Sequence, residues 1–551
     1  MDPAIYVDLR CLQDPRYQFH PVGYHLAALL RERKGSVLSN WKTIGLVDQR
    51  FPGVPDEYCS LVDGISLSVN PCCSSNVPAL FIDGSPLTYD TRFSLRFHSH
   101  PAFLCAAVIH DFQRSERTGN LPEIGDRITY AVKIARLKYF DILFPLSEHI
   151  AVQLSELGLS CRRVVLTDSS AQVDLNAKSL ERVVAQRFWN AIATALDIRR
   201  NAAVIARCEK PRVAFLSAYP PDQSTAAIFT AMTIQAGKNL FHSDLYTNAD
   251  RPLTLGGVCK DAGPVSVAAL VRGRYDAIIS VLENFEHPWV FEIFQKFGGP
   301  CILHNVKATP CLEAIIERAS PLIVNTLSEQ ALLKENYGVD AHVAASCPTI
   351  FFREDELTTS AKQAARNRQG LDPTTFLVSG SGYMSEATEI EECILAIELL
   401  RSWDIPAELY FVDNTESTNE EVQRIATLYG VTAFVGSCVI PRNSLKYRDF
   451  LIASDASIQL GKHGSVLPLT DGISAGLSCV ATNNLAKSCE APEYVVGVPD
   501  IFSVLQVAER LAAIWETTSE RNGNADARAI YLRTHNFECY AKRLLEILEI
   551  T

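Results

Sequence analysis

The chain has 551 residues, of which 47% are hydrophobic and 21% are charged, a composition that excludes a disordered or fibrous protein. Its 51 basic and 63 acidic residues give a net charge of −12 without a dense run of lysine and arginine. A nucleic-acid-binding protein is therefore not expected, although a local basic pocket for one phosphate group stays open. At roughly 100–200 residues per domain, this length predicts two to four domains, with three as the central value.

The N-terminus and the cysteines give the expected compartment. No apolar stretch approaches the roughly 18–20 residues that cross a bilayer. Met1-Asp2-Pro3 runs into a strand-like segment with neither a basic region nor a cleavable apolar core. The 16 cysteines show no CxxC pair and no zinc-binding spacing with histidine. We therefore expect a cytoplasmic protein with reduced structural thiols and no metal site.

The first 205 residues alternate short apolar runs with longer helical patterns, which is typical of βαβ units. The polar segment Arg199–Lys210 indicates a boundary, so residues 1–205 form a predicted Rossmann-like accessory domain. Strands are predicted at Ile5–Leu9, Ala102–His110, Ile142–Pro145 and Arg163–Leu166. Helices are predicted at Tyr24–Lys34, Ile128–Leu137 and Leu180–Leu196.

Residues 206–365 form a second predicted α/β domain. A helix from Ser328 is expected to end near Tyr337, because Gly338 follows as a C-cap residue. Strands are predicted at Arg212–Ser217, Ala277–Val281, Cys301–His304 and Leu322–Asn325.

The first two predicted domains repeat the same pattern. Each has a strand that ends in a histidine, His110 in the first and His304 in the second. Each then has a strand followed by a Ser-Glu pair at a helix start, Ser147-Glu148 and Ser328-Glu329. The repeated order indicates duplication of one α/β domain.

Residues 366–551 form the third predicted domain, preceded by the polar segment Phe352–Asp372, which we interpret as a linker. Its periodicity predicts a doubly wound parallel sheet. Strands are predicted at Phe376–Ser379, Glu408–Val412, Ala433–Gly436, Ala456–Leu460 and Cys479–Thr482, with a turn at Gly380-Ser381-Gly382. Helices are predicted at Glu389–Trp403, Glu420–Leu428, Tyr447–Ala453, Pro468–Ala475, Val504–Glu516 and Phe537–Leu548.

The segment that follows the strand Ala456–Leu460 is the expected ligand site, because ligands of open parallel sheets lie beyond the carboxyl ends of the strands. It is rich in small residues and opens a helix near Pro468. Free N–H groups at a helix N-terminus suit a phosphate or diphosphate. An ordinary βα loop is the alternative.

The same region resembles family-four retaining glycosyltransferases, on the motif Asp471–Ala481 after a small-residue loop. The resemblance spans about Arg212–Leu548, and Phe537–Ala541 resembles the last helix of that family. It implies the GT-B fold, in which two facing Rossmann-like domains hold a nucleotide-sugar, with an additional N-terminal α/β domain. That first domain, with Asp8-Leu9-Arg10 and His110, resembles a second copy of the N-terminal family domain.

The resemblance also implies candidate site residues. Asp471 matches the second Glu of the family motif, which holds the donor ribose, whereas His463 replaces the first Glu. The stretch after Gly380 lacks the usual basic residue, and His304 matches a histidine that approaches the sugar. The predicted catalytic residues are His304 and His463. The predicted nucleotide-sugar-binding residues are Lys462, Gly464, Ser465, Val466, Leu467, Asp471 and Gly380.

The resulting hypothesis is a retaining, metal-independent hexosyltransferase that moves a sugar from a nucleotide-sugar to a glycan, lipid-linked or protein acceptor. It needs no cofactor beyond that co-substrate, and peripheral membrane association and oligomeric state stay open. A catalytically degenerate scaffold protein is the main alternative, and a nucleotide-sugar epimerase is a third. Structural roles for His110, His304 and Asp471 also stay open, but we expect His304, rather than His110, to face the reactive cleft.

Overall fold

A computed structural model describes most of the chain. The described residues are 3–18, 20–67, 79–84, 86–87, 103–110, 124–157, 159, 161–167, 177–201, 210–220, 222, 224–247, 267–283, 287–306, 310–381, 387–412, 416–440, 442, 444–461, 466–499, 503–517 and 525–550. Within them the strands form three sheets of seven, six and six strands. Contacts group the chain into two compact units, one built on the first sheet and one that contains the third sheet and most of the second.

The first sheet lies within residues 4–163. Its strands are β1 (Ala4–Asp8), β2 (Lys42–Leu46), β3 (Gly64–Ser66), β4 (Ala79–Asp83), β5 (Phe103–Ile109), β6 (Ile142–Pro145) and β7 (Arg162–Arg163). Its helices are α1 (Arg10–Gln13), α2 (Pro15–Gln18), α3 (Pro21–Glu32), α4 (Asp56–Cys59), α5 (Ile124–Arg136), α6 (Glu148–Ser155) and α7 (Ala177–Asn201). The strand order is β3-β2-β1-β4-β5-β6-β7, and the pairs are parallel. Every residue of β1, β4 and β5 is buried, as expected for a parallel sheet covered on both faces.

The second sheet lies within residues 212–343. Its strands are β8 (Arg212–Leu216), β9 (His242–Tyr246), β10 (Ala277–Glu283), β11 (Gly299–His304), β12 (Ala319–Val324) and β13 (His342–Val343). Its helices are α8 (Thr225–Gly237), α9 (Val267–Arg272), α10 (Pro288–Phe297), α11 (Pro310–Arg318) and α12 (Leu327–Tyr337). The strand order is β13-β12-β11-β10-β8-β9. Gly338 ends α12 in the left-handed conformation, as predicted.

The third sheet lies within residues 376–498. Its strands are β14 (Phe376–Ser381), β15 (Ala407–Val412), β16 (Val435–Ser437), β17 (Ala456–Gln459), β18 (Ser478–Thr482) and β19 (Val495–Val498), in the order β16-β15-β14-β17-β18-β19. The helices are α13 (Thr359–Gln369), α14 (Ala387–Ser402), α15 (Glu416–Leu428), α16 (Leu445–Ala453), α17 (Leu467–Ser474), α18 (Asn483–Ser488), α19 (Val504–Thr517), α20 (Ala525–Thr534) and α21 (Phe537–Ile547). The predicted turn at Gly380-Ser381 is wrong, because β14 continues through both residues.

These sheets confirm the prediction of an α/β fold with doubly wound parallel sheets. One sheet falls within each of the ranges 1–205, 206–365 and 366–551. The predicted linker Phe352–Asp372 is wrong in part, because α13 occupies Thr359–Gln369 and packs against α16 of the third domain. The boundary between residues 365 and 366 therefore cuts a helix that belongs to the third domain.

The first two sheets share one topology. Without the edge strand β3, the first sheet reads β2-β1-β4-β5-β6-β7, and the second reads β9-β8-β10-β11-β12-β13 in the matching direction. His110 follows β5 and His304 ends β11, so the two histidines occupy equivalent strands. The Ser-Glu pairs are not equivalent, because Ser147 is the N-cap of α6 whereas Thr326, not Ser328, is the N-cap of α12.

A closing helix also recurs in each copy. In the first domain α7 packs against α3, and Trp189 Nε1 donates a 2.9 Å hydrogen bond to the Leu29 carbonyl. In the second domain α21, the last helix of the chain, packs against α8. The rings of Phe537 and Tyr540 lie 5.0 and 5.7 Å from that of Phe229. The helix that closes the second domain therefore comes from beyond the third sheet.

Candidate functional site

The second sheet has its topological switch point between β8 and β10, because the chain leaves β8 for β9 on one side and returns to β10 on the other. Ligands of open α/β sheets bind outside the carboxyl ends of the strands at such a point. The side chains at the ends of β10, β11 and β12 and at the start of α8 therefore define the candidate site.

Glu283 joins two of these elements at the end of β10. It is 3% exposed, and its carboxylate accepts hydrogen bonds from the Ala226 amide at 2.9 Å and from Asn305 Nδ2. Asn305 has a φ of 53°, a left-handed conformation that asparagine adopts more readily than most residues. The carboxylate thus fixes the start of α8 to the turn that follows His304.

His304 is buried at the end of β11 and is only 1% exposed. Its ring packs edge-on against Phe229 at 5.0 Å, and its Nδ1 accepts a hydrogen bond from Asn325 Nδ2 at 2.5 Å. Burial lowers the pKa of His304 to about 3, so the imidazole is neutral at pH 7 and carries its proton on Nε2. That Nε2 has no hydrogen-bond partner among the described residues.

Asn325 connects His304 to the last helix. Its Oδ1 accepts a hydrogen bond from the Tyr540 hydroxyl at 3.1 Å. Asn325 and Tyr540 both line a cavity of about 340 Å³, together with Ser346, Ser488 and Arg543 among others. The cavity is therefore formed by the edge of the second sheet, by α18 of the third domain and by the last helix.

A serine and a histidine lie near the same edge. Ser224 is the N-cap of α8, and its Oγ accepts from the Ala227 amide at 3.3 Å. The Ser224 hydroxyl lies 3.1 Å from His287 Nε2, which also lies 3.8 Å from Asp222. The Ser224 hydroxyl and the Asp222 carboxylate both lie near Nε2 of His287. In a Ser-His-Asp triad the serine and the aspartate contact different nitrogens of the imidazole, so these three residues do not form one.

The predicted donor-binding residues of the third domain are described in part. Lys462, His463, Gly464 and Ser465 lie outside the described residues. Val466 is the N-cap of α17 and Leu467 is its first residue; both are 3% exposed, and no side chain caps this helix start.

Gly380 lies in β14 where a side chain would not fit. A Cβ at this position would stand 2.7 Å from Cδ1 of Phe411, a ring that is completely buried in the third-domain core. Glycine is therefore required here for close packing of β14 on its neighbour. Its role in donor binding stays a prediction.

Asp471 is completely buried in α17, and its carboxylate has an internal set of partners. It accepts hydrogen bonds from the Thr349 amide at 2.6 Å, from the Thr349 hydroxyl at 2.9 and 3.0 Å and from the Ile350 amide at 3.3 Å. Arg442 Nε lies 3.8 Å away, and burial raises the carboxyl pKa. Asp471 therefore anchors the segment that enters the third domain; its role at the donor ribose stays a prediction.

Two further properties concern the described residues. They contain no group of three or more His, Cys, Asp or Glu side chains placed to hold a metal ion. None of the helices described has both the length and the apolar character that a membrane span requires.

The sequence patterns do not predict Asn325 and Tyr540 as parts of this site. Asn325 ends a strand of the repeated pattern, and Tyr540 lies in the segment that resembles the last helix of the glycosyltransferase family. The patterns also missed Glu283, the polar residue that ends the apolar strand β10. A polar residue at the end of an otherwise apolar strand was the available signal.

Comparisons with known proteins give structural likeness only. No protein-family model matches the chain, and no curated protein matches it. WaaG, a glycosyltransferase involved in lipopolysaccharide biosynthesis, is similar at 14% identity and a TM-score of 0.42, over 61% of this chain and 99% of WaaG. Sucrose-phosphate synthase from Thermosynechococcus elongatus is similar at 15% identity and a TM-score of 0.48, over 62% of this chain and 98% of the synthase chain. Anabaena HepE in complex with UDP and glucose is similar at 14% identity and a TM-score of 0.45, over 62% of this chain and 100% of the HepE chain.

At these identities the similarity concerns the fold. The GT-B-type prediction agrees with two features of the chain itself. The second and third sheets are parallel and doubly wound, and α21 returns from the third domain to pack on α8.

The burial of His304 has a consequence for acid stability. Its pKa is about 3 in the folded protein, below the ordinary value of 6.5, so below pH 6.5 the unfolded chain binds a proton that the folded chain does not. Stability should fall as the pH drops from 6.5 towards 3, by about 1.4 kcal/mol per pH unit from this group. We expect His304→Gln to lose less melting temperature than the parent between pH 7 and pH 4.5. An equal loss in both proteins would contradict the burial of a neutral His304.

Proposed function

We propose that the chain is a GT-B-type glycosyltransferase that moves a sugar from a nucleotide-sugar to a glycan, lipid-linked or protein acceptor. The observation that carries the proposal is His304 with its Asn325 partner. A neutral imidazole, buried at the carboxyl end of a strand at the switch-point edge, keeps an Nε2 proton that no described side chain accepts. His304 is hydrogen-bonded to Asn325, and Asn325 lines the cavity at the edge of the second sheet.

In this proposal His304 donates its Nε2 hydrogen bond to an oxygen of the donor sugar. Asn325 holds the tautomer by donating to Nδ1, and Tyr540 holds Asn325. Because these groups are fixed before the substrate binds, little reorganisation is needed at the moment of transfer.

The proposed donor diphosphate lies against the uncapped start of α17, whose first N–H groups and helix dipole favour an anion. Val466 and Leu467 belong to that helix start. Lys462, His463, Gly464 and Ser465 precede it in the sequence and are part of the proposed donor site, to which Lys462 would add a positive charge. The proposal includes retaining, metal-independent hexosyl transfer, a cytoplasmic location and no further cofactor.

The direct binding test is a thermal-shift series with UDP-, GDP- and ADP-sugars, because a ligand that binds only the folded state raises its melting temperature. We expect one nucleotide class to raise it and the others to have little effect. An unchanged melting temperature with every donor at millimolar concentration would contradict the proposal.

A catalytically degenerate scaffold protein is the second candidate, and one observation favours it. Both oxygens of Asp471 already bind Thr349, which is unlike a carboxylate left open for a ribose. The two candidates differ in turnover, since a scaffold protein binds a nucleotide-sugar without consuming it.

Asp471→Asn separates the two roles of this carboxylate. If Asp471 also holds the ribose, the variant should bind the nucleotide more weakly by about 1–3 kcal/mol, the range for a hydrogen bond to a charged group. Isothermal titration of the parent and the variant measures this difference. A variant with a lower melting temperature but an unchanged nucleotide affinity would leave Asp471 only as the buried anchor.

A further inference from the structure

The cavity of about 340 Å³ lies where the chain passes between the second and third sheets. The first passage, after β13, contributes residues 343–346 to the cavity wall. The second passage, from α20 to α21, contributes Thr534 and His535, and α18 of the third domain contributes Ser488. A molecule in the cavity would therefore contact parts of both domains.

The cavity is separate from the contact proposed for the donor sugar. Asn325 lines the cavity and contacts His304 at Nδ1, whereas the proposed donor contact is made by Nε2 of that histidine. The two nitrogens lie on different sides of the imidazole ring. A molecule in the cavity would therefore be additional to the donor sugar.

Ser346 brings a hydroxyl group without a partner to the cavity wall. The residue is 3% exposed, and its hydroxyl forms no hydrogen bond with another residue in the part of the chain that the structure describes. Buried side-chain hydroxyls normally have a hydrogen-bond partner, which can be the protein, an ordered water or a ligand. This hydroxyl is therefore available to a molecule in the cavity.

The backbone next to Ser346 is strained. Ala345 has a φ of 121°, a conformation that residues with a Cβ rarely adopt. Glu490, which follows α18 and also lines the cavity, has a φ of 53°. Backbone conformations of this kind persist only where the surrounding structure fixes them, and they cluster at ligand sites. The strain thus supports a binding role for this wall.

The charged groups of the wall do not select an ion. Arg543 Nη1 already pairs with Glu546 at 3.1 Å, so its charge is compensated before an anion binds. Glu490 Oε2 lies 3.6 Å from His535 Nε2, and the glutamate side chain is 53% exposed, so solvent screens its attraction for a cation. The wall therefore favours a neutral polar molecule.

We propose that this cavity binds a neutral polyhydroxylated molecule, such as a single saccharide unit or a polyol. A hydroxyl of the ligand both donates and accepts a hydrogen bond, so it can pair with Ser346 in either direction and also with Glu490 or Arg543. The volume is at the lower end of the range of about 300–1,000 Å³ for small-molecule sites, which suits one such unit. Binding here does not depend on the proposed transfer reaction.

Cys539 reports occupancy of the cavity, because it lines the cavity and is only partly buried. The full chain is treated with iodoacetamide in the presence of glucose, N-acetylglucosamine, glycerol or inositol, and mass spectrometry of its peptides gives the alkylation rate of each cysteine. We expect at least one of these four compounds to slow alkylation of Cys539 by fivefold or more. Phosphate, sulfate and lysine should not slow it. Cys438, which is partly buried and lies outside the cavity, is the internal control.

Ser346→Ala removes the hydroxyl and little else. It should raise the ligand concentration that gives half-protection of Cys539 by about threefold to tenfold, the scale of one lost hydrogen bond. Ser346→Val also adds bulk to the wall and should abolish protection. Ser360→Ala, at an exposed position of α13, is the matched control, and melting temperatures establish that each variant is folded.

Three results would overturn the proposal. They are unchanged alkylation of Cys539 with all four compounds, protection by phosphate, sulfate or lysine alone, and equal half-protection concentrations in Ser346→Ala and Ser360→Ala. No nucleotide-sugar is present in these samples. Failure here would therefore leave the donor site to its thermal-shift series, and failure of that series would leave the cavity to its own result.

Discussion

Replacing His304 with glutamine is expected to lower sugar transfer by about 100-fold or more, the scale of a lost acid–base or polarising group. Glutamine fills a similar volume, but it cannot present the Nε2 proton at the same place while accepting from Asn325. Initial rates of nucleoside diphosphate release, with the best donor from the thermal-shift series, measure the effect.

The control for this variant is His149→Gln, which changes an exposed histidine on α6 and should keep the parent rate. Melting temperatures at pH 7 establish that His304→Gln is folded. A folded His304→Gln protein with the parent rate would remove His304 from the reaction.

Replacing Asp455 with asparagine is expected to destabilise the third domain by about 3–5 kcal/mol, the cost of removing one partner of a buried ion pair. Asp455 binds Lys362 and Arg366 of α13 and accepts the Leu377 amide at 2.7 Å. Arg366 is 4% exposed, so its charge would stay buried without its partner carboxylate. Urea unfolding followed by tryptophan fluorescence measures the loss.

Asp449→Asn is the matched control for Asp455, because it breaks an ion pair of the same helix α13, here with α16 at the surface. Its partner Arg368 is 54% exposed, so solvent already screens the pair and little change is expected. Equal losses in both variants would contradict the anchoring role of α13 in the third domain.

The strands were largely predictable because parallel strands buried on both faces read as continuous apolar runs. Phe103–Ile109 and Ala277–Glu283 are examples, and the histidine that follows the first run lies where the prediction placed it. The helix α13 was not predictable in the same way. Its sequence TSAKQAARNRQ is polar, and it is held by Arg366 and Lys362 binding Asp455, a residue about ninety positions away.

The site was predictable only as far as local patterns reach. The pattern placed His304 at a strand end, but its burial depends on Phe229 and Asn325, which come from other parts of the chain. The sequence pattern predicts a helix start at the Ser328-Glu329 pair, whereas Thr326 is the N-cap and Glu329 completes a capping box with it. The burial of Asp471 also depends on a distant segment, at Thr349.

Mass detection of donor turnover shows whether the chain transfers sugar from a nucleotide-sugar. Purified protein is incubated with UDP-, GDP- and ADP-sugars, with and without glycan acceptors, beside His304→Gln at equal concentration. We expect the parent to release one nucleoside diphosphate, and the variant to release it at least about 100-fold more slowly. A donor that raises the melting temperature of the parent yet is never consumed would contradict the proposed sugar transfer and establish a binding protein instead.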